Sequence, residues 1–288
     1  MMCSSSVRRL AVIAAGAACI FVGCESPVRR PVPVCPPAES AETVISSLQA
    51  QYLAGRDFIA YGRAVYIYRN QAGKLKKESF PLKLWVQPPR KLRMHGDIAF
   101  NARGIDLGSN GEELWLAIRP KEVSKYVWGK WSQIESPQSV ALHPQVMLDA
   151  FGLAEIGNCE RYTLSYAGAF NVLTYNDEHH RRVKRIFVYS CSRRIAKIEY
   201  FDVAQKPALV LQLSEYTKVG EGFYVPSRIK FRKLDEESDS TGVDIRLGSV
   251  KSKTFSTKLC DRLFCRPEPS GFKNVYRIVG DELIVQRP

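Results

Sequence analysis

Residues 38–54, AESAETVISSLQAQYLA, carry apolar side chains at helical spacing, with Ala41, Val44, Ile45, Leu48 and Tyr52 on one face. Glu39 and Glu42 stand at the start of this segment and Gly55 just past its end, as the charge preference and the stop of a helix require. Beyond residue 55 the period falls to two. Leu92 and Met94 face one way while Lys91, Arg93 and His95 face the other; Leu114, Leu116 and Ile118 alternate against Glu113, Trp115 and Ala117. Val225, Ile229 and Phe231 oppose Arg228 and Lys230, and the sets Leu209, Leu211, Leu213 and Val243, Ile245, Leu247 repeat the pattern. Successive strands that are apolar on one face predict an antiparallel sheet with one side wet. The spacing predicts a second helix over 144–151, PQVMLDAF, with Pro144 at its first position and Gly152 at its exit. No internal repeat, low-complexity tract or strong interior linker interrupts the pattern. Many one-sided strands with two helices must curl or be covered to hide the apolar face. The expected fold is mainly β: an incomplete antiparallel barrel with helices over its mouth.

The first residues follow a different rule. Arg8 and Arg9 precede an uncharged stretch from Leu10 to Gly23. As a helix it would reach about 21 Å, short of the roughly 30 Å core of a bilayer. A basic start, a short apolar middle and small residues before a cut describe an export signal. Its end, Phe21-Val22-Gly23-Cys24, resembles the lipobox of bacterial lipoproteins, which implies cleavage before Cys24 and acylation of that cysteine. Ordinary secretion with a cut near Gly23, a retained anchor helix and twin-arginine export are the alternatives. Residues 1–23 are therefore read as a lipoprotein signal. Residues 24–37, with Pro27, Pro31, Pro33, Pro36 and Pro37, form a semi-rigid tether, and residues 38–288 a single domain. Glu25 after the cysteine leans, by analogy, toward the outer membrane facing the periplasm.

Composition narrows the menu. With 45% hydrophobic and 25% charged residues the chain can bury a core. The net charge is +13, and loss of a leader holding Arg8, Arg9 and no acid leaves +11. In an exported protein such a charge addresses lipid headgroups and envelope polymers rather than nucleic acid. Once Cys3 and Cys19 leave and Cys24 is acylated, Cys35, Cys159, Cys191, Cys260 and Cys265 remain, an odd number in an oxidising compartment. Cys260 with Cys265 and Cys159 with Cys191 are the candidate disulfides, leaving Cys35 free in the tether. No Cys/His spacing fits zinc, and His179-His180 reads as a solvated turn. No cofactor is implied. There is no G-x-S-x-G elbow, H-E-x-x-H or P-loop, and His95 and His143 sit in no nucleophile arrangement. Asp149 and Glu155 are read as capping or solvated groups at the second helix, and the Asp235-Glu236-Glu237 and Asp239 cluster as a hairpin tip. The chain is not expected to be an enzyme.

Two longer stretches, LWVQPPRKLRMHG and DLGSNGEELWLAIRP, resemble the LolA/LolB lipoprotein-carrier superfamily. The likeness lies in Trp85 on a strand ending at Pro88-Pro89, the strand through Leu92 and Met94, the Asn110-Gly111 turn, and Leu114-Trp115-Leu116 running to Pro120. Later, YTKVGEGFYVPSRIKF matches a strand, a turn at Gly222 and a Pro226-bearing strand. The amphipathic helix fits too. The resemblance covers most of 38–250; the Cys260–Cys265 segment, the long basic stretches and the lipobox depart from the soluble carriers.

That resemblance implies an incomplete barrel, lidded by helices, around a hydrophobic cavity for acyl chains. The candidate lining is Leu84, Val86, Leu92, Met94, Leu114, Leu116, Ile118, Val146 and Met147, with the two methionines suited to varied chain shapes. Arg90, Lys91 and Arg93 are candidates for headgroup phosphates, and Trp128 and Trp131 for a rim or a loop anchor. The expected function is a membrane-anchored envelope lipoprotein that binds lipid acyl chains or lipoprotein anchors. The alternative is a sensor or protein-interaction module on the same scaffold with an envelope partner.

Overall fold

In a computed structural model, residues 35–286 are described apart from 70–72, 99–100, 120–122, 134–143, 158, 236–237 and 281. The signal, Cys24, most of the tether, Pro120, His143 and Glu236-Glu237 lie outside the described residues.

Helix α1 (Ala41–Leu53) starts at Ser40, whose hydroxyl accepts from the Thr43 amide at 3.3 Å. This satisfies one of the amides that a helix start leaves without a partner. The helix buries Val44, Ile45 and Leu48, the stripe its spacing predicts. Six strands follow: β1 (Phe58–Arg69), β2 (Leu75–Gln87), β3 (Lys91–Ile98), β4 (Asn101–Asn110), β5 (Glu113–Ile118) and β6 (Lys125–Lys130). The peptide between Pro88 and Pro89 is cis. Helix α2 (Pro144–Ala150) leads to β7 (Tyr162–Ala167), β8 (Phe170–Asn176), β9 (Arg182–Tyr189), β10 (Ile195–Phe201), β11 (Pro207–Gly220), β12 (Phe223–Asp235) and β13 (Ser238–Ser252). Helix α3 (Thr257–Leu263) then precedes β14 (Asn274–Val279) and β15 (Glu282–Gln286).

All fifteen strands join one sheet, ordered β15-β14-β6-β5-β4-β3-β2-β1-β13-β12-β11-β10-β9-β8-β7. Every described pair is antiparallel except β14 against β6, which runs parallel. Turn chemistry sets the register. At the β4–β5 hairpin Asn110 Oδ1 accepts from the amides of Glu112 and Glu113 at 2.9 and 2.7 Å, and Gly111 takes φ 98°, which glycine adopts without a Cβ clash.

The apolar faces of β1–β5 and β7–β13 belong to one cluster that also holds Val44, Ile45 and Leu48 of α1 and Val146, Met147 and Leu148 of α2. Strands far apart in the order can share a core with two helices only if the sheet curls around them. The ends β15 and β7 do not pair with each other, so the barrel stays open. The fold class agrees with the sequence expectation, and the alternation holds in β11, β12 and β13, where Leu209, Leu211, Leu213, Val225, Ile229, Phe231, Val243, Ile245 and Leu247 are all buried.

One part of the sheet departs from a wet outer face. Trp115, Ala117 and Tyr126, on the outer side of β5 and β6, have no exposed area, and they cluster with Phe272 and Val275 of the C-terminal segment. That segment covers this end of the outer face. Gly108 is fitted to the arrangement: a Cβ there would lie 2.3 Å from the Trp115 ring, so only glycine lets the indole cross β4.

The disulfide expectations are corrected. Cys35 bonds to Cys191, their Cα atoms 5.1 Å apart, within the span a disulfide bridges. Cys35 is therefore not free. The Ala38 amide donates to Asn171 Oδ1 at 2.8 Å, and the Tyr166 hydroxyl donates to the Ala38 carbonyl at 2.8 Å, which fixes the same segment onto β7 and β8. Cys159, Cys260 and Cys265 carry no disulfide. Cys260 points from α3 into a small cluster with Phe255 and Phe264, whereas Cys265 lies past the helix end and faces solvent, so the pair is turned apart.

Candidate ligand-binding face

The inner face of β2–β5 and the underside of α2 bring most of the predicted lining together. Leu84, Val86, Leu92, Met94, Leu116, Val146 and Met147 share the main cluster, and Ile118 packs at its margin. Leu114 does not join them. It packs with Val127 and Ile278 toward the parallel β6–β14 pair, because β14 adds a strand that no alternation in β5 announces.

The expected hollow is filled in this conformation. Val86, Leu92 and Val146 have no exposed area, and Leu84 and Met147 only 1% each. A vacant channel wide enough for an acyl chain would leave its walls in reach of a water-sized probe. These side chains instead pack into one buried cluster. The inner face is apolar and continuous, and the helices complete it.

A polar cluster fastens α2 to the sheet. Asp149, predicted to cap or be solvated, is buried instead. Lys184 Nζ on β9 donates to both of its carboxylate oxygens, at 3.2 and 3.3 Å, and the Tyr200 hydroxyl on β10 donates to Oδ2. Burial works against the Lys184 charge, but the neighbouring carboxylate outweighs it and holds the ammonium above its ordinary pKa. Burial, with the Asp149 charge added, pushes the Tyr200 phenol well up. A carboxylate between Leu148 and Ala150, following the apolar run Val146-Met147-Leu148, was the available signal; its partners, 35 and 51 residues away, were not visible.

Arg93, predicted to meet headgroups, is corrected: it is buried on the outer face. Its guanidinium is bidentate to Asp106, at 3.0 and 2.6 Å, and Nη1 donates to the carbonyls of Leu263 and Cys265 at 2.7 and 3.2 Å. Trp115 Nε1 donates to Asp106 Oδ1 at 3.2 Å. Burial alone would raise the Asp106 carboxyl, but the His95 imidazole 3.6 Å away and the bidentate Arg93 guanidinium outweigh it and hold the carboxyl well below the usual range. The pair therefore fastens α3 to β3 and β4. Arg90 remains exposed in the turn before β3 and Lys91 half-buried at its start. Trp131 donates from Nε1 to Ser109 Oγ at 2.8 Å as an anchor, while Trp128 lies under the guanidinium groups of Arg266 and Arg277 on the outer face.

No protein-family model matches the sequence, and no curated protein matches it. Solved structures do. A Vibrio parahaemolyticus domain named for outer membrane lipoprotein sorting superposes with a TM-score of 0.50 at 11% identity, over 77% of this chain and 97% of its own. A LolA superfamily protein from Nitrosomonas europaea gives 0.50 at 12%, over 80% and 99%. A DUF1329 family protein from Desulfovibrio piger gives 0.50 at 11%, over 79% and 98%. At such identity the likeness is one of fold, and the fold is LolA-like.

Proposed function

We propose that this chain is a membrane-anchored envelope lipoprotein that takes lipid acyl chains, or the acylated ends of other lipoproteins, between its sheet and its two lid helices. The observation that carries this reading is the apolar inner face of β2–β5 covered by α2, in one cluster with the apolar stripe of α1. The proteins that share the fold include one named for lipoprotein sorting. Cys24 would supply the anchor and the proline-rich segment the reach.

Because the interior is filled, entry requires α2 to lift. Exposing Val146, Met147, Leu148 and Phe151 costs about 1.5–3 kcal/mol each, or roughly 6–12 kcal/mol together. An acyl chain of about fifteen methylenes gains about 12 kcal/mol on burial. The two apolar terms are similar in size, and parting Asp149 from Lys184 and Tyr200 adds to the cost of opening, so the closed state is favoured until a chain enters. No covalent step is needed.

A fluorescent fatty acid tests the reading. It should bind the full chain saturably with a blue-shifted emission, and Met147→Lys on the underside of α2 should abolish the signal. Replacement of Cys24 by Ala should release the protein from membranes. Absence of saturable binding by the wild type would count against the carrier.

The filled interior also favours a second reading, an interaction module whose partner is a protein. Leu283, Ile284 and Val285 on the edge strand β15 are exposed, as a strand-pairing surface would be. A partner captured through β15 with no bound lipid would select it.

A further inference from the structure

The outer face carries a cleft unrelated to the apolar interior. Its floor is a cross-strand row in which Lys83 on β2 stands opposite Tyr61 on β1 and opposite His95 on β3. Trp85, two residues along β2, extends the floor, Asp97 and Arg103 close one end, and Arg262 of α3 overhangs the other. The cleft is open to solvent on one side and its volume is 690 Å³, within the range of about 300–1,000 Å³ common for small-molecule sites. The cleft depends on α3, which Arg93 and Asp106 hold in place.

The lining has a particular chemistry. Lys83 Nζ lies 5.0 Å from the Tyr61 ring and 4.7 Å from the Trp85 ring, so a cation sits between two aromatic faces. Among the described residues Lys83, Arg103 and Arg262 make no ion pair, while Tyr61 is 45% exposed. Arg103 holds a positive φ of 55°, and its amide donates to Asp97 Oδ1 at 2.7 Å. Three cations without a carboxylate partner among the described residues suit an anion, and guanidinium groups suit phosphate in particular. A bare phosphate would leave the exposed part of the Tyr61 ring uncovered. An acyl chain would strand the charged groups. A pure polyanion would meet repulsion from Asp97. Trp85 is packed by Lys83, His95 and the cluster under α3, so Tyr61 is the ring left open. One ligand class answers all of these: a sugar ring whose C–H face lies on Tyr61, whose hydroxyls donate to Asp97, and whose phosphate meets Lys83, Arg103 and Arg262.

We propose that this outer-face cleft binds a phosphorylated pyranose, free or as a unit of a larger glycan. The site is separate from the inner face, so its failure would leave the acyl-chain reading untouched.

The test is a titration of the full chain, labelled with 15N and followed at the indole N–H of Trp85, which a Trp85→Phe variant assigns. Glucose 6-phosphate should move that signal saturably, and about tenfold more tightly than either glucose or inorganic phosphate, a difference of about 1.4 kcal/mol. Lys83→Ala and Arg262→Ala should each weaken binding about tenfold with an unchanged melting temperature; Lys83→Gln and Arg262→Gln replace them if either fails to fold. Four results would overturn the proposal: no saturable shift with the sugar phosphate, equal affinity for glucose or for phosphate alone, undiminished binding by both variants, or a response only to phosphatidylglycerol vesicles. The last would make the cleft a membrane contact.

Discussion

Asp149 and Asp106 are buried carboxylates that each fasten a helix to the sheet, one inside the barrel and one outside it. Removing one partner of such a pair strands the other charge, which costs about 3–5 kcal/mol. Lys184→Met should therefore lower stability by that amount in urea unfolding, while Asp149→Asn combined with Lys184→Met should recover most of the loss. The Asp106 carboxyl is depressed in the folded state, so its contribution is fully present above the unfolded value of about 3.9 and is lost as pH falls below that value toward the folded one. Protection factors for amide exchange at residues 257–265, with the intrinsic pH dependence divided out, should therefore be flat from neutrality down to about pH 4 and should fall below it. Arg93→Met should remove that pH dependence together with the protection. Gly108→Ala is the steric counterpart: its new methyl must displace the Trp115 indole, and overpacking of this kind costs about 1–3 kcal/mol.

The segment before α1 is tied to the turn after β9 by the Cys35–Cys191 bond, across 156 residues of chain. Reduction, or replacement of both cysteines by serine, should cost about 2–5 kcal/mol. Serine at Cys260 or Cys265 should leave the response to reductant unchanged. These pairings mark where sequence reading stops. The one-sided strands β11, β12 and β13 and the stripe of α1 were legible, because alternation and helical spacing are written in consecutive residues. The cover over Trp115 and Ala117 was not. Arg93 meets the carbonyl of Leu263 170 positions away, and no local period reports such a contact. Arg93 therefore read as a solvated charge on a wet face when it is a buried clasp. The inner lining was legible as a set, apart from Leu114, but alternation fixes which side faces inward and is silent on whether that side meets a void or another side chain.

For the molecule as a whole, the LolA-like sheet offers two surfaces of opposite chemistry. The inner one is apolar over β2–β5, carries the Asp149 clasp at β9 and β10, and is closed by helices; the outer one, crossed by α3, holds a cationic and aromatic cleft. A carrier built this way would open by moving α2 while leaving α3 and the outer cleft undisturbed. The central claim, that an acyl chain can replace α2 against the sheet, is tested most directly by covalent capture. A fatty-acyl lipid with a diazirine near its methyl end, incubated with the full chain and illuminated, should label peptides holding Leu84 to Met94 and Val146 to Met147. Labelling confined to the outer face or to β15, or no specific labelling, would contradict the account.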